Sequence, residues 1–128
     1  MDPASQPGQR ILPVLQGWAG RLQAEFPHIT ATASDLGSHG LALACVLPDV
    51  APDLPNVVTL RVSLGNSGEA LVVHSAAVVW GPPSAHIEAE LQPSHGELTP
   101  ERLEAFAERL PELFAALRQA IRRGRPPV

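Results

Sequence analysis

The residues of this sequence best suited to chemistry are a histidine and two glutamates at alternate positions, His86, Glu88 and Glu90. Alternate residues of a β-strand point to the same face about 6.5–7 Å apart, so these three side chains would line one face of a strand. Imidazole and carboxylate groups bind divalent metals and also act as general acids and bases. The polar outer face of a half-exposed sheet shows the same pattern, and we favour that interpretation.

A further histidine, His74, lies within an apolar run at residues 71–76 and predicts a histidine in a central strand. Such a side chain is either hydrogen-bonded in the core or open to a pocket. It could neighbour His86 across the last hairpin, but the sequence does not specify the register of that hairpin. His74, His86 and Glu88 are therefore the candidate metal ligands. No residue is assigned a catalytic or cofactor-binding role, and no cofactor is predicted.

The other reactive residues have simpler interpretations. Cys45 shares the apolar face of a predicted strand, where a free cysteine behaves as a small buried hydrophobe. The Ser-His pairs at residues 38–39 and 94–95 are adjacent residues near strand ends, which face opposite ways and form no catalytic pair. The acidic, proline-rich residues 48–55 could hold a cation or a partner, although a solvated loop has the same composition.

The composition limits the class of protein. The 128 residues suffice for one domain, and the single cysteine excludes an internal disulfide framework or a multi-cysteine zinc site. No apolar run approaches the roughly 18 residues of a membrane helix, and residues 1–7 carry no secretory signal. We therefore expect a soluble cytoplasmic protein with no membrane partner. The net charge of −4 argues against a nucleic-acid partner, although four arginines crowd the C-terminus.

Two segments have the apolar spacing of amphipathic helices. The first covers about residues 9–25, and Pro13 is tolerated there only in the first turn, which places the start near Leu12. The second covers residues 99–123, where Thr99 followed by proline and glutamate is typical of a helix start. Pro111 lies in its interior and predicts a kink, or a split near Arg109.

The chain between these helices has the period-two pattern of β-strands. Five strands are expected, at residues 29–34, 41–47, 58–64, 70–79 and 85–91. In the fifth strand, Ile87 and Leu91 are predicted to face the core. His86, Glu88 and Glu90 are predicted to face solvent. Glycine-bearing turns at residues 36–40 and 65–68 are typical of hairpins, and connections this short favour antiparallel neighbours.

The predicted fold is therefore α+β, with one five-stranded antiparallel meander sheet flanked by an N-terminal and a C-terminal helix. The simplest packing places both helices on one face of the sheet, as a two-layer sandwich. We assign residues 1–8 to a disordered lead-in, residues 9–124 to the domain and residues 125–128 to a short tail.

In its order of elements the chain resembles the type III secretion chaperone-like class, which includes the YbjN-like proteins. The matching features are the first helix at residues 11–26, the sheet at 29–91 and the closing helix at 99–123. The resemblance implies a non-enzymatic fold that dimerises and holds an extended segment of another protein. Secretion chaperones usually dimerise through a short helix between the third and fourth strands, whereas residues 65–68 leave room only for a tight turn.

The sequence thus predicts a protein-binding module, chaperone- or adaptor-like and homodimeric, whose partner is another protein or an extended peptide segment. Apolar sheet surface or an unpaired sheet edge would accept the partner. The candidate contact residues are Trp80, Val58, Leu60 and Val62. The alternative is a small ligand- or metal-binding protein or enzyme that uses a polar sheet face carrying His74, His86 and Glu88.

Overall fold

The computed structural model describes residues 7–36, 40–48, 56–67, 70–81, 86–91 and 103–125. Within them, a helix is followed by five strands and a second helix, which confirms the predicted α+β fold and element order. The elements are α1 (Pro7–Glu25), β1 (Thr30–Asp35), β2 (Gly40–Val46), β3 (Val57–Ser67), β4 (Ala70–Trp80), β5 (His86–Leu91) and α2 (Leu103–Arg123). The predicted helix start at Thr99, the loop residues 49–55 and the two Ser-His pairs lie outside the described residues.

The five strands form one antiparallel sheet in the order β1-β2-β3-β4-β5, so each strand pairs with its neighbour in sequence. Short connections favour this meander, because a parallel crossover needs about a dozen residues or more. Only two residues separate Ser67 at the end of β3 from Ala70 at the start of β4. The predicted hairpin is confirmed, although residues 65–67, predicted as part of its turn, belong to β3 and pair with residues 70–72 of β4. A connection of two residues leaves no room for the helix that secretion chaperones insert at this point.

Strand alternation directs every second side chain of the sheet toward the two helices. Leu43 pairs with Leu60, which pairs with Val78, and all three are fully buried. Both helices pack on this face, where Trp18 of α1 stacks on Phe114 of α2 with ring centroids 4.6 Å apart. Burial of each such side chain is worth about 1.5–3 kcal/mol, so this layer supplies most of the stability.

Each helix contains an interior proline, and both helices differ from the prediction near it. α1 begins at Pro7, before the predicted start at residues 9–12, so Pro13 lies in its second turn. α2 runs continuously through Pro111 and is not split near Arg109. Both interior prolines are exposed, so water can reach the carbonyl oxygens that lose a helical partner. Neither helix in the described part of the chain is long and apolar enough to cross a membrane.

Candidate functional site

The predicted polar face of β5 is rearranged by a β-bulge. Ile87 pairs with Val79 and Ala89 pairs with Val78, which leaves Glu88 as the extra residue between them. A bulge interrupts the strict alternation of side chains. As a result Ile87 is 61% exposed on the face away from the helices, whereas Glu88 lies toward α2. The prediction that Ile87 faces the core and Glu88 faces solvent is therefore wrong.

Glu88 forms an ion pair with a helix residue. Arg123 Nη2 donates a hydrogen bond to Glu88 Oε1, and the Glu88 side chain is only 9% exposed. A guanidinium in this position competes with any metal ion for the same carboxylate. No group of three or more His, Cys, Asp or Glu side chains that could hold a metal ion occurs within the described ranges.

The strand register does not bring His74 and His86 together. His86 pairs with Trp80 at the end of β4, whereas His74 lies six residues earlier in β4, opposite the register shift between Ser63 and Leu64. Six strand residues span about 20 Å, which is too far for two ligands of one ion. The alternative role built on these histidines and Glu88 therefore gains no support from the described geometry.

The four residues predicted to contact a partner lie in the core. Trp80, Val58, Leu60 and Val62 have no exposed surface, because they occupy the helix-covered face of β3 and β4. Their placement is a correction: these side chains hold the helices on the sheet and do not reach solvent. The indole Nε1 of Trp80 has no hydrogen-bond partner among the described residues. Burial of the large apolar ring offsets the free energy lost by leaving this N–H group without a hydrogen bond.

The other face of the sheet, which we call the open face, carries no described helix because both helices lie opposite. Two rows of paired residues cross it. The first row is Thr32, Ala44, Thr59, Val79 and Ile87, and the second is Ser34, Ala42, Arg61, Ala77 and Glu90. Most of these side chains are small or β-branched, and none is fully buried.

A shallow open depression of about 360 Å³ lies at the centre of the open face. It is lined by Leu36, Ala42, Ala44, Thr59, Arg61, Val79 and Gly81. The alanine side chains leave room for another chain to approach the sheet. Thr59 and Arg61 provide hydrogen-bond donors, and no ion pair joins Arg61 to another described residue. The arrangement suits a polypeptide surface that carries apolar side chains and a carboxylate.

The outer edge of β1 is partly occupied by a side chain of α1. Gln23 Oε1 accepts a hydrogen bond from the backbone N–H of Ala31 at 3.1 Å, and Gln23 Nε2 donates to the carbonyl oxygen of Ile29 at 2.6 Å. The side-chain amide thus makes the two bonds that a neighbouring strand would make. Among the described strands, β1 pairs only with β2 and so lies at one edge of the sheet.

The remaining reactive groups are buried or paired. Burial raises the pKa of the Cys45 thiol to about 12, so little thiolate exists at neutral pH. Arg118 and Arg122 both donate hydrogen bonds to the carboxylate of Glu25. With Arg123 bound to Glu88, the arginines of α2 are engaged by carboxylates, which further disfavours a nucleic-acid patch.

The sequence analysis does not single out Ala44 and Arg61, which line the depression, or Gln23, which binds the β1 edge. The alternation of apolar and polar residues in β3 does place Arg61 on the face opposite Leu60. The residues of the open face in β3 could therefore have been predicted from this alternation. No pattern in the sequence predicts that Gln23 reaches the edge of β1.

No protein-family model, curated protein or solved structure matches this chain.

Proposed function

We propose that this protein is a non-enzymatic protein-binding module, chaperone- or adaptor-like, which forms a homodimer and holds a segment of another protein on its open face. One observation carries the proposal. The two rows that cross all five strands combine small side chains with exposed apolar ones, and the described helices leave them uncovered. Val46 and Ile87, which are 38% and 61% exposed, add large apolar surface to the same face.

The chemistry of the open face supports a partner segment with apolar side chains and a carboxylate. Ala42 and Ala44 allow the backbone or side chains of a bound segment to pack closely on the sheet. Layers that pack on a sheet lie about 10 Å from it, within reach of the Arg61 side chain. A segment with apolar side chains and a carboxylate aimed at Arg61 would satisfy both features, because guanidinium and carboxylate form strong paired hydrogen bonds.

The proposal is tested by native mass spectrometry of the protein purified from the cells in which it occurs. We expect a co-purified polypeptide with the wild-type chain and its loss with Ala44→Glu, which fills the depression. Ala115→Glu on the exposed surface of α2 is the matched control and should keep the polypeptide. Urea unfolding of each variant establishes that the fold is intact.

Two results would contradict the proposal. The first is equal retention of the polypeptide by the Ala44→Glu and Ala115→Glu variants. The second is a stoichiometric metal or small-molecule adduct in place of a polypeptide, which would favour the ligand-binding alternative.

A further inference from the structure

We infer that the segment held on the open face is an amphipathic α-helix, which lies along β2 and β3 with its apolar side chains over Ala44 and Val46 and a carboxylate at Arg61. This helix deepens the proposed function, on which the inference rests, because it gives the partner segment a conformation and a spacing of side chains. It differs from the extended segment that the resemblance to secretion chaperones implies.

The two edges of the sheet are poorly suited to the addition of a partner strand. At the β1 edge, the side-chain amide of Gln23 already binds the carbonyl oxygen of Ile29 and the backbone N–H of Ala31. At the β5 edge, the bulge at Glu88 interrupts the regular pairing. Covered edges and bulges are the devices that prevent strand addition. A partner segment is therefore expected on a face of the sheet.

The backbone of a segment on the open face decides its conformation. The backbone N–H and C=O groups of β2, β3 and β4 are directed at the neighbouring strands, within the plane of the sheet. An extended segment lying on that face would cover its own backbone groups with side chains that offer few hydrogen bonds, which is unfavourable. An α-helix forms these hydrogen bonds within itself. A helix is therefore the conformation that this face accepts best.

The open face provides room for such a helix along β2 and β3. The residues on this side of the two strands pair as Ala42 with Arg61, Ala44 with Thr59, and Val46 with Val57. The first two pairs line the depression of about 360 Å³ at the centre of the face. Their alanine methyl groups allow a helix to approach closely, and the two valines supply apolar surface at one end. A helix that uses both the valines and Arg61 must run along the strands.

Arg61 determines where the carboxylate of the helix lies. Its side chain is exposed, and no ion pair joins it to another residue in the described ranges. Glu90 lies in the same row, two strands and about 10 Å away at the β5 edge. Its negative charge favours a bound carboxylate on the β2 side of Arg61, above the alanines. There the guanidinium can form paired hydrogen bonds with the carboxylate.

The strand geometry specifies the spacing of side chains in the bound helix. Val57 is four strand residues from Arg61, or about 13 Å, and Thr59 lies midway. A helix rises about 1.5 Å per residue, so positions about four and seven residues from the carboxylate approach the levels of Thr59 and Val57. Residues at these spacings share one side of a helix. We therefore expect large apolar side chains at these two positions of the partner.

The test uses a synthetic peptide of this pattern tethered to the open face. The probe is an alanine- and glutamine-rich peptide of about 14 residues, with a glutamate about four and seven positions after two leucines and a thiol-reactive linker at its leucine end. It is attached to a Val46→Cys variant, since Val46 is 38% exposed. Cys45 does not compete for the linker, because its side chain is fully buried. Tethering gives a millimolar effective concentration, so weak docking is measurable.

Hydrogen exchange of the peptide amides is the readout. We expect these amides to exchange at least tenfold more slowly than in the same peptide tethered to Ala115→Cys on α2, the matched control. The protection should fall when Arg61→Gln is combined with Val46→Cys, and when glutamine replaces the glutamate of the peptide. A proline in the middle of the peptide should abolish it. Exchange of the sheet amides, recorded in the same measurement, shows that each variant is folded.

Each contrary result has a distinct meaning. Equal exchange from positions 46 and 115 overturns the inference, while native mass spectrometry of the Ala44→Glu variant judges the proposed function separately. Protection that the central proline leaves unchanged overturns the helical conformation. Protection that Arg61→Gln leaves unchanged overturns the place assigned to the carboxylate.

Discussion

Arg118 and Glu25 connect the two helices across 93 positions of sequence, through hydrogen bonds from Nε and Nη2 to the two carboxylate oxygens at 2.9 and 2.6 Å. Arg122 donates to the same carboxylate at 2.9 Å. These hydrogen bonds, chiefly that of Arg118, hold the pKa of Glu25 below its ordinary value of 4.5. The ionised form of the Glu25 carboxylate is therefore more stable in the folded protein than in the unfolded chain.

This pairing predicts a pH dependence of stability. The contribution of Glu25 is fully present above its unfolded pKa of 4.5 and is lost as the pH falls through the lower folded value. We expect Glu25→Gln to reduce stability at neutral pH and to flatten the acid-side loss. Urea unfolding from neutral pH to about pH 3 measures this, with Glu108→Gln on the exposed surface of α2 as control. Parallel pH profiles for Glu25→Gln and the wild type would contradict the prediction.

The pair between Arg123 and Glu88 should matter more than an exposed pair. Glu88 is 9% exposed, so Arg123→Gln leaves a nearly buried carboxylate without its cation and should cost about 1–3 kcal/mol. Arg109 and Glu112 form an exposed pair on α2, and Arg109→Gln should cost less than about 0.5 kcal/mol. Urea unfolding at neutral pH compares the two variants. Equal losses of unfolding free energy in the two variants would show that the buried Glu88 carboxylate is not stabilised by Arg123.

Two glycines should respond to alanine in opposite directions. Gly40 has φ +136°, and an added Cβ would collide with the carbonyl oxygen of Val62 in β3. Gly40→Ala should therefore destabilise the fold by about 3 kcal/mol or more. Gly20 lies in α1 with open space around its Cα, and Gly20→Ala should stabilise by about 0.5–1 kcal/mol. The midpoint of thermal unfolding measures both effects. A Gly40→Ala variant as stable as the wild type would contradict the close approach of β2 and β3 at this point.

Cys45 should be protected from thiol reagents in the folded protein. Its side chain is fully buried between the sheet and the helices, and burial raises its pKa to about 12. We expect labelling by dithiobis(nitrobenzoate) at about pH 8 to proceed only as fast as the fold opens. The urea-unfolded chain should react at once. Rapid labelling of the folded protein would place Cys45 outside the core.

The element order was predictable because each local signal agreed with the global fold. The regular alternation around Leu60, the glycine-bearing turns and the apolar stripes of the helices each indicated one structure. α1 begins earlier than the sequence predicts, because an exposed Pro13 is tolerated in the second turn when solvent reaches the freed carbonyl oxygen.

The candidate site was less predictable because it depends on pairing between distant strands. Trp80 and Val62 are apolar and could lie on either an exposed or a covered surface, and only helix packing decides. The bulge at Glu88 turns Ile87 to the exposed face of the sheet. The six residues of β5 contain no sequence pattern that predicts such a bulge. Gln23 reaches Ala31 only because α1 lies over β1.

The most direct test of the central claim is site-specific photocross-linking from the open face in cells in which the protein occurs. A photoreactive phenylalanine analogue at Ile87, which is 61% exposed, leaves the core unchanged, and the same analogue at exposed Ala115 samples the α2 surface. We expect a cross-linked polypeptide from position 87 and none from position 115. Cross-links from position 115 alone, or none from position 87, would contradict the open face as the binding surface.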